Sequence, residues 1–214
     1  KAAVRARDLT QQLLTFAKGG APIRAAVSLP EVVREVAEFA LRGAKTRCQY
    51  DISADLWPAN ADKGQIGQVV QNIVINAMQA MSVGGVIDIS LRNAAVGTEL
   101  GQMMAPGKYV HLRIADHGPG VKPEDLQRIF DPYFTTRRAG TGLGLPIAKN
   151  IIEGLGGALS VSSQPGEGTE ISIALPLLPN PAAPGLPSSR HPMAASCWST
   201  TRKSFSSRLV ARSG

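Results

Sequence analysis

The amino-acid sequence predicts an α/β sandwich in which a mixed, mostly antiparallel sheet is covered on one face by helices. Apolar residues make up 43% of the 214 residues and aromatic residues 5%, which is ordinary for a core built from Ala, Val, Ile and Leu. Several segments repeat apolar residues at helical spacing, and others alternate apolar and polar residues as half-buried strands do. Stacking such helices on such a sheet buries the apolar face of both.

The first sixty residues predict helices alternating with short strands. In order, the elements are a helix over 1–18, a strand near 27–29, a helix over 31–44, a strand over 48–52 and a turn or edge strand over 57–60. Gly19-Gly20 is expected to end the first helix, because glycine closes a helix at little conformational cost. The apolar stripe on this helix favours self-association through residues 1–18.

The following residues predict a long helix and the rest of the sheet. The elements are a helix opened by Asp62 and ending near Ser82, a strand over 86–91, a loop over 93–108, a strand over 109–115, a short helix over 123–128, a helix over 143–154, and strands over 158–163 and 169–176. The turn residues at 164–168 predict that the last two strands form a hairpin.

The long helix carries polar residues on a face that would otherwise be apolar. Asn72, Asn76 and Gln79 occupy positions i, i+4 and i+7 and therefore project together. Burying an amide without a partner costs about 1–3 kcal/mol. Two interpretations remain open: the amides bond to neighbouring main chain, or they face a polar ligand or a hydrated metal.

Two glycine-rich segments follow predicted strands or precede predicted helices. Asp116-His117-Gly118-Pro119-Gly120 comes directly after a strand, and its glycines allow the backbone to approach a flat ligand closely. The second segment, 140–145, reads Gly-Thr-Gly-Leu-Gly-Leu and runs into a helix. Such an arrangement binds anions, of which phosphate is the commonest, although a single motif of this kind is weak evidence.

Charge and hydropathy exclude some classes of function. The net charge of +7 comes from dispersed basic residues, so no nucleic-acid partner is predicted. No apolar run reaches the roughly 18 residues of a membrane span, so we expect a cytoplasmic chain without membrane contact. This expectation is compatible with a longer parent protein that is anchored in a membrane. Cys48 and Cys197 lack metal-ligand spacing, which suits a reducing compartment.

Five motifs occur in order: the Asn-bearing helix, DxGxG, a Phe-containing segment, GxGLGL and a GxGT strand. Together they resemble the catalytic ATP-binding (HATPase) domain of a bacterial two-component sensor histidine kinase. This domain belongs to the GHKL superfamily, with gyrases, mismatch-repair ATPases and heat-shock chaperones. The resemblance implies the Bergerat fold, ATP and Mg²⁺ as cofactors, and protein-histidine kinase activity.

The resemblance also implies roles for residues of the base and metal site. Asn76 would hold Mg²⁺ through its amide oxygen, and Asn72 would lie toward the same ion and phosphates. Asp116 would accept a hydrogen bond from the exocyclic amine of adenine, which selects against guanine because guanine carries a carbonyl there. The remaining residues of this pocket would be Gly118, Gly120 and Thr169.

A mobile lid over the phosphates is implied as well, with Phe130 and Phe134 as its hinge. Arg137 or Arg138 would neutralise the γ-phosphate, or else be solvated. Leu143 and Leu145 are included in the nucleotide site, although packing is the alternative role for both. The other predicted nucleotide-binding residues of the lid are Thr135, Thr136, Gly140, Thr141, Gly142 and Gly144.

One departure favours phosphoryl transfer over hydrolysis. ATPases of the superfamily place a water-activating Glu one turn before the metal-binding Asn, and here that position is Asn72. His111, His117 and His191 lack the setting of a phosphoacceptor, so the acceptor is expected before Lys1. The alternatives are a GHKL-type ATPase and a non-catalytic nucleotide-binding regulatory module.

The resemblance divides the chain into three parts. Residues 1–20 would be the second helix of the dimerisation and phosphoacceptor hairpin, 21–178 the catalytic domain and 179–214 a disordered tail. A frame shift of GC-rich codons across 197–205 would produce an acidic strand like that of a receiver domain, so the tail is hypothesised to be an out-of-frame receiver remnant. The expected partners are the hairpin of the parent kinase and a response regulator or fused receiver.

Overall fold

The computed structural model describes residues 23–95, 107–137 and 140–177. The strands in these residues are β1 (Ala25–Val27), β2 (Arg47–Ile52), β3 (Ala59–Ala61), β4 (Val86–Ala95), β5 (Lys108–Asp116), β6 (Ala158–Gln164) and β7 (Gly168–Pro176). The helices are α1 (Leu29–Ala40), α2 (Lys63–Ala80), α3 (Pro123–Leu126) and α4 (Gly144–Gly154). The predicted first helix, its self-association stripe, the tail, Arg138 and Cys197 lie outside the described residues.

A five-stranded sheet with the order β2-β4-β5-β7-β6 forms the main layer, and β1 and β3 form a separate two-stranded ribbon. The β2–β4 pair is parallel and the other pairs of the main sheet are antiparallel. The predicted mixed, mostly antiparallel α/β architecture is therefore confirmed. The register places Asp116 at the end of β5 opposite Thr169 on β7, and Thr169 opposite Ser163 on β6.

The helices cover one face of this sheet, where the alternate residues of each strand are buried. On β4 these are Ile87, Ile89 and Leu91, each at most 1% exposed. The long helix α2 contacts both α1 and α4 and lies at the centre of the helical layer. Its buried residues are Ile66, Val69, Val70, Ile73, Val74 and Ala77. Burying an aliphatic side chain of this size contributes about 1.5–3 kcal/mol to folding.

Asp62 fixes the start of α2 as the sequence predicts. One of its carboxylate oxygens accepts a hydrogen bond from the Gln65 main-chain N–H at 3.0 Å, as an N-cap does. The other accepts from the main-chain N–H of Ile23 at 3.0 Å. The cap therefore also holds the segment that leads into β1.

Two predicted boundaries at the start of the domain are wrong by several residues. The strand expected near 27–29 ends at Val27, and the helix expected over 31–44 begins at Leu29 and ends at Ala40. Pro30 lies in the first turn of α1, where an N–H is not needed for the helical ladder. Leu29 is fully buried as the first residue of α1, so the core selects helix for a residue whose local pattern suggests strand.

The loop predicted over 93–108 is also shorter than expected, because β4 continues to Ala95 and β5 begins at Lys108. The sequence predicts Asn93 as a loop residue, yet its backbone pairs with Val110 on β5. Its side chain accepts a hydrogen bond from the Trp57 N–H and donates one to the Asp55 carbonyl, each at 2.9 Å. The polar side chain thus secures a neighbouring loop from within a strand.

Within the described residues, no helix is long and apolar enough to cross a membrane.

Candidate functional site

A cleft of about 620 Å³ lies between α2, the ends of β5 and β7, and the segments that precede α3 and α4. Most of the residues that the sequence predicts for the site line this cleft: Asn72, Asn76, Asp116, Gly120, Thr135, Thr136, Arg137, Gly140, Thr141, Gly142, Gly144, Leu145 and Thr169. Gly118 and Leu143 do not line it. The structure therefore brings together residues separated by almost one hundred positions in the chain.

The polar face of α2 forms one wall of the cleft. The Asn72 side-chain amide donates a hydrogen bond to the Gly144 carbonyl at 3.1 Å. A Cβ on Gly144 would lie 3.5 Å from Asn76 Nδ2, so α4 begins almost in contact with this face. Among the described residues, the Asn76 side chain makes no hydrogen bond although it lines the cleft. Each of the two interpretations of the polar face thus fits one residue: Asn72 bonds to main chain, and Asn76 is available to a ligand.

Asp116 is the buried carboxylate of the cleft, with 8% of its surface exposed. Burial raises its pKa above the ordinary value. Hydrogen bonds from the main-chain N–H groups of Gly118 and Thr169, together with the charges of Arg137 and His117, act in the opposite direction on this pKa. The carboxylate lines the cleft, where a ligand N–H can approach it.

Gly118 holds this carboxylate rather than lining the cleft, which corrects the predicted position. Its N–H donates to Asp116 Oδ1 at 2.9 Å. A Cβ at residue 118 would lie 2.8 Å from the same oxygen and 3.0 Å from the Ala80 Cβ. The glycine is required because the loop turns tightly back over the carboxylate and against the end of α2.

The loop after Asp116 interlocks with the turn between β6 and β7. Gly120 has φ of +69°, and a Cβ there would collide with the Gln164 carbonyl. The Pro119 carbonyl accepts a hydrogen bond from the Gly166 N–H at 2.8 Å. The loop that follows Asp116 is therefore fixed by contacts between two turns that lie far apart in sequence.

Arg137 places a positive charge inside the cleft. Its guanidinium donates to Gln79 Oε1 at 3.0 Å and to the Asn76 main-chain carbonyl at 3.1 Å. Burial lowers the Arg137 pKa, and the negative charge of Asp116 opposes that shift. The guanidinium is thus held against α2 rather than in solvent. The sequence places Gln79 on the polar face with Asn72 and Asn76 but does not indicate this partner, since the contact with Arg137 spans 58 residues.

The glycine-rich segment at 140–145 packs against residues 133–134. Gly142 has φ of +66°, and a Cβ there would lie 2.7 Å from the Phe134 carbonyl oxygen. The Gly142 carbonyl accepts a hydrogen bond from the Tyr133 N–H at 3.0 Å, and Tyr133 itself has φ of +67°. These contacts bring the two halves of the proposed lid together.

The amino terminus of α4 opens into the cleft. Gly144, Leu145 and Pro146 line it. Proline has no N–H, so Gly144 and Leu145 supply the main-chain N–H groups of this first turn that attract anions. Leu143, the residue before this helix, is only 3% exposed and lies outside the cleft lining, so it has the packing role. Leu145 is half-buried, packs on the core and also lines the cleft.

The two phenylalanines of the predicted hinge contact basic side chains. Lys149 Nζ lies 5.0 Å from the centre of the Phe130 ring, and the Arg128 guanidinium lies 4.4 Å from that of Phe134. Phe134 lines the cleft and Phe130 does not. Their role as a hinge stays a prediction.

The cleft lining combines groups of different chemistry. It contains a buried carboxylate, a guanidinium, a helix amino terminus and apolar side chains, among them Ile73, Ala77, Ile114 and Ile171. These groups suit a flat ligand that carries both an N–H donor and negative charge. The described residues hold no group of three or more His, Cys, Asp or Glu that would bind a metal by itself.

A family model described as histidine kinase-, DNA gyrase B- and HSP90-like ATPase matches residues 61–179. The chain is 37% identical over 181 residues to the sensor kinase CckA of Brucella abortus (strain 2308), covering 81% of this chain and 19% of CckA. It is 32% identical over 181 residues to the sensor histidine kinase ZraS of Salmonella typhi, covering 83% of this chain and 37% of ZraS. The chain therefore spans well under half the length of these relatives.

The fold is also similar to that of full-length ShkA, which was solved in complex with AMPPNP. The two structures superpose with a TM-score of 0.64 at 29% sequence identity, covering 79% of this chain and 35% of that chain.

Proposed function

Because the chain belongs to the family of histidine kinase-, DNA gyrase B- and HSP90-like ATPases, we propose that it transfers the γ-phosphoryl group of ATP to a histidine, as the catalytic domain of a two-component sensor kinase. The observation that carries this proposal is the lining of the cleft, which combines the buried Asp116, the Arg137 guanidinium and the amino terminus of α4 around one cavity. The carboxylate suits the exocyclic amine of adenine, and the guanidinium and the helix amino terminus suit the triphosphate.

Adenine would occupy the end of the cleft near Asp116. The carboxylate accepts a hydrogen bond from the exocyclic amine, and Ile114 and Ile171 contact the flat ring. A hydrogen bond to a charged acceptor contributes about 1.5–3 kcal/mol. Gly120 allows the loop to approach the base, and the Thr169 hydroxyl lies beside it.

The triphosphate would lie between α2 and the lid. The N–H groups at the start of α4 and the Arg137 guanidinium supply positive potential there. The amide oxygen of Asn76 suits Mg²⁺, which prefers oxygen ligands and retains several waters, so one neutral ligand suffices when phosphates supply the charge. Mg²⁺ would neutralise phosphate charge as transfer proceeds.

The surroundings of Asn72 favour transfer over hydrolysis. This residue occupies the position at which the hydrolases of the superfamily have their water-activating Glu. Its side-chain amide donates a hydrogen bond to the Gly144 carbonyl. The carboxylates among the described cleft residues are Asp116 and Asp125, and Asp116 lies at the end proposed for adenine. With an amide rather than a carboxylate at residue 72, this position supplies no general base for water, so water is a poor acceptor and the γ-phosphoryl group is retained for another nucleophile.

The proposed acceptor is a histidine on a dimerisation hairpin, for which residues 1–20 are the expected second helix. His111 and His117 do not line the cleft, and His117 Nε2 lies 2.7 Å from Asp88 Oδ2 on β4. A response regulator or a fused receiver would then take the phosphoryl group, and the whole protein would act from the cytoplasmic side of the cell. Pairing of two hairpins would make it a dimer.

Radiolabelled ATP tests this proposal. The chain is incubated with [γ-³²P]ATP, Mg²⁺ and the dimerisation hairpin of the parent kinase, with a hairpin lacking the histidine as control. We expect acid-labile label on the first hairpin and none on the control. ATP binding with rapid phosphate release and no labelled hairpin would support an ATPase instead, and binding with neither product would support a regulatory module.

A further inference from the structure

The Ser163 hydroxyl connects three segments next to Thr169, a residue that lines the cleft. Ser163 lies on β6 opposite Thr169. Its oxygen lies 2.8 Å from the Val121 main-chain nitrogen, 2.6 Å from the Gly168 carbonyl oxygen and 3.1 Å from Thr169 Oγ1. It therefore contacts the loop after Asp116, the β6–β7 turn and a side chain that lines the cleft.

The direction of each hydrogen bond follows from what each group can do. A serine hydroxyl has one hydrogen to donate and two lone pairs that accept. The Gly168 carbonyl only accepts, so it takes the Ser163 hydrogen. The Val121 N–H only donates, so it uses one of the two lone pairs. The remaining lone pair can only accept, so the Thr169 hydroxyl must donate its hydrogen to Ser163.

Thr169 therefore acts as a hydrogen-bond acceptor toward a ligand in the cleft. With its hydrogen committed to Ser163, Thr169 Oγ1 has only lone pairs left to offer a ligand. The main-chain N–H of Thr169 faces the Asp116 carboxylate, whose pKa it lowers. The side chains of Asp116 and Thr169 therefore both present hydrogen-bond acceptors to a ligand in the cleft.

We propose that Ser163 is a positioning residue that holds Thr169 as an acceptor and so makes the cleft select purines with a 6-amino group over purines with a 6-oxo group. The proposal rests on the proposed function, because it concerns the base of the same ATP site. A 6-amino group donates hydrogen bonds to acceptors, whereas a 6-oxo group directs its own lone pairs at them. Without Ser163 the Thr169 hydroxyl can rotate and donate a hydrogen bond to a 6-oxo group. This reduces the free-energy cost of binding a 6-oxo purine.

The test compares the affinities of ATP and ITP, which differ in the group at position 6 and the N1 hydrogen that accompanies it. Both are titrated calorimetrically with Mg²⁺ into the full chain and into Ser163→Ala. We expect the unmodified chain to prefer ATP and the preference to fall about threefold to tenfold in the variant, the size of one hydrogen bond. Ser163→Thr, which keeps the hydroxyl, should restore it. Ser162→Ala, at an exposed neighbour on β6, is the matched control and should leave it unchanged.

A purely structural role for Ser163 gives a different result. Loosening of the turn would weaken ATP and ITP binding by the same factor, and an unchanged ratio in Ser163→Ala would overturn the proposal. Thr169→Val supplies a second test that leaves Ser163 in place, and it should lower the ratio to a similar extent. No loss of preference in Thr169→Val would also overturn it. An unmodified chain that binds neither nucleotide would instead refute the proposed function and this inference with it.

Discussion

Replacing Asp116 with Asn changes one oxygen of a buried side chain to an amide nitrogen, and the surroundings decide how the new group is oriented. Asp116 Oδ1 accepts the Gly118 N–H at 2.9 Å. The amide must keep its oxygen there, because an NH₂ group would face another donor. The Asn NH₂ then points toward the remaining space, where we propose that the adenine amine lies. Two donors would face each other in place of a donor and a carboxylate.

The size of the effect follows from burial. Since Asp116 is 8% exposed, water cannot take over the lost interaction. We expect a loss of about 1.5–3 kcal/mol in ATP binding, which is about 10- to 150-fold in Kd. Binding of ITP should weaken less, because its 6-oxo group can accept from the Asn NH₂. The preference for ATP should therefore shrink or reverse.

Isothermal titration of both nucleotides in the presence of Mg²⁺ measures these values. Asp125→Asn is the matched control, since Asp125 also lines the cleft and the substitution removes the same charge. It should alter the ATP to ITP ratio little. Equal losses in both variants would show that net charge, rather than a hydrogen bond to the base, controls affinity. Unchanged ATP binding in Asp116→Asn would refute the adenine assignment.

Three further predictions concern pH, a glycine and the metal. The raised pKa of Asp116 means that ATP affinity falls on acidification at a higher pH than the ordinary carboxyl value of 3.8 would give. By linkage, the contribution of Asp116 to the stability of the ligand-free chain is fully present below that value and is lost as pH rises through the raised pKa, and Asp116→Asn should remove both of these contributions in titrations and melts. Gly120→Ala should cost about 1–3 kcal/mol in denaturant unfolding because of its positive φ and its collision with Gln164, while Gly154→Ala, with open space around it, should cost nothing. Asn76→Asp should disturb Mg²⁺-dependent transfer to the hairpin and leave the ATP to ITP ratio intact; a changed ratio would place Asn76 at the base instead.

Features encoded by local spacing were predictable from the sequence. The i, i+4, i+7 pattern of α2 places Asn72 and Asn76 on one wall of the cleft, and strand alternation places Asp116 at the end of β5. These positions depend only on the helical and strand periods, which hold wherever the element is packed. The fold class is predictable for the same reason.

Features that depend on pairing between distant segments were missed. The importance of Ser163 depends on the β6–β7 register that brings it opposite Thr169, and nothing about a serine in an alternating strand indicates it. The contact of Gln79 with Arg137 and the strand conformation of Asn93 likewise depend on partners far along the chain. Local preference was overridden at Leu29, where burial in the core decided the outcome.

A crystal structure of the chain with Mg²⁺ and a non-hydrolysable ATP analogue tests the central claim most directly. We expect the exocyclic amine of adenine within hydrogen-bonding distance of Asp116, and the triphosphate between Asn76 and the amino terminus of α4 with Arg137 in contact. A nucleotide bound outside this cleft, or bound with its phosphates toward Asp116, would contradict the assignment.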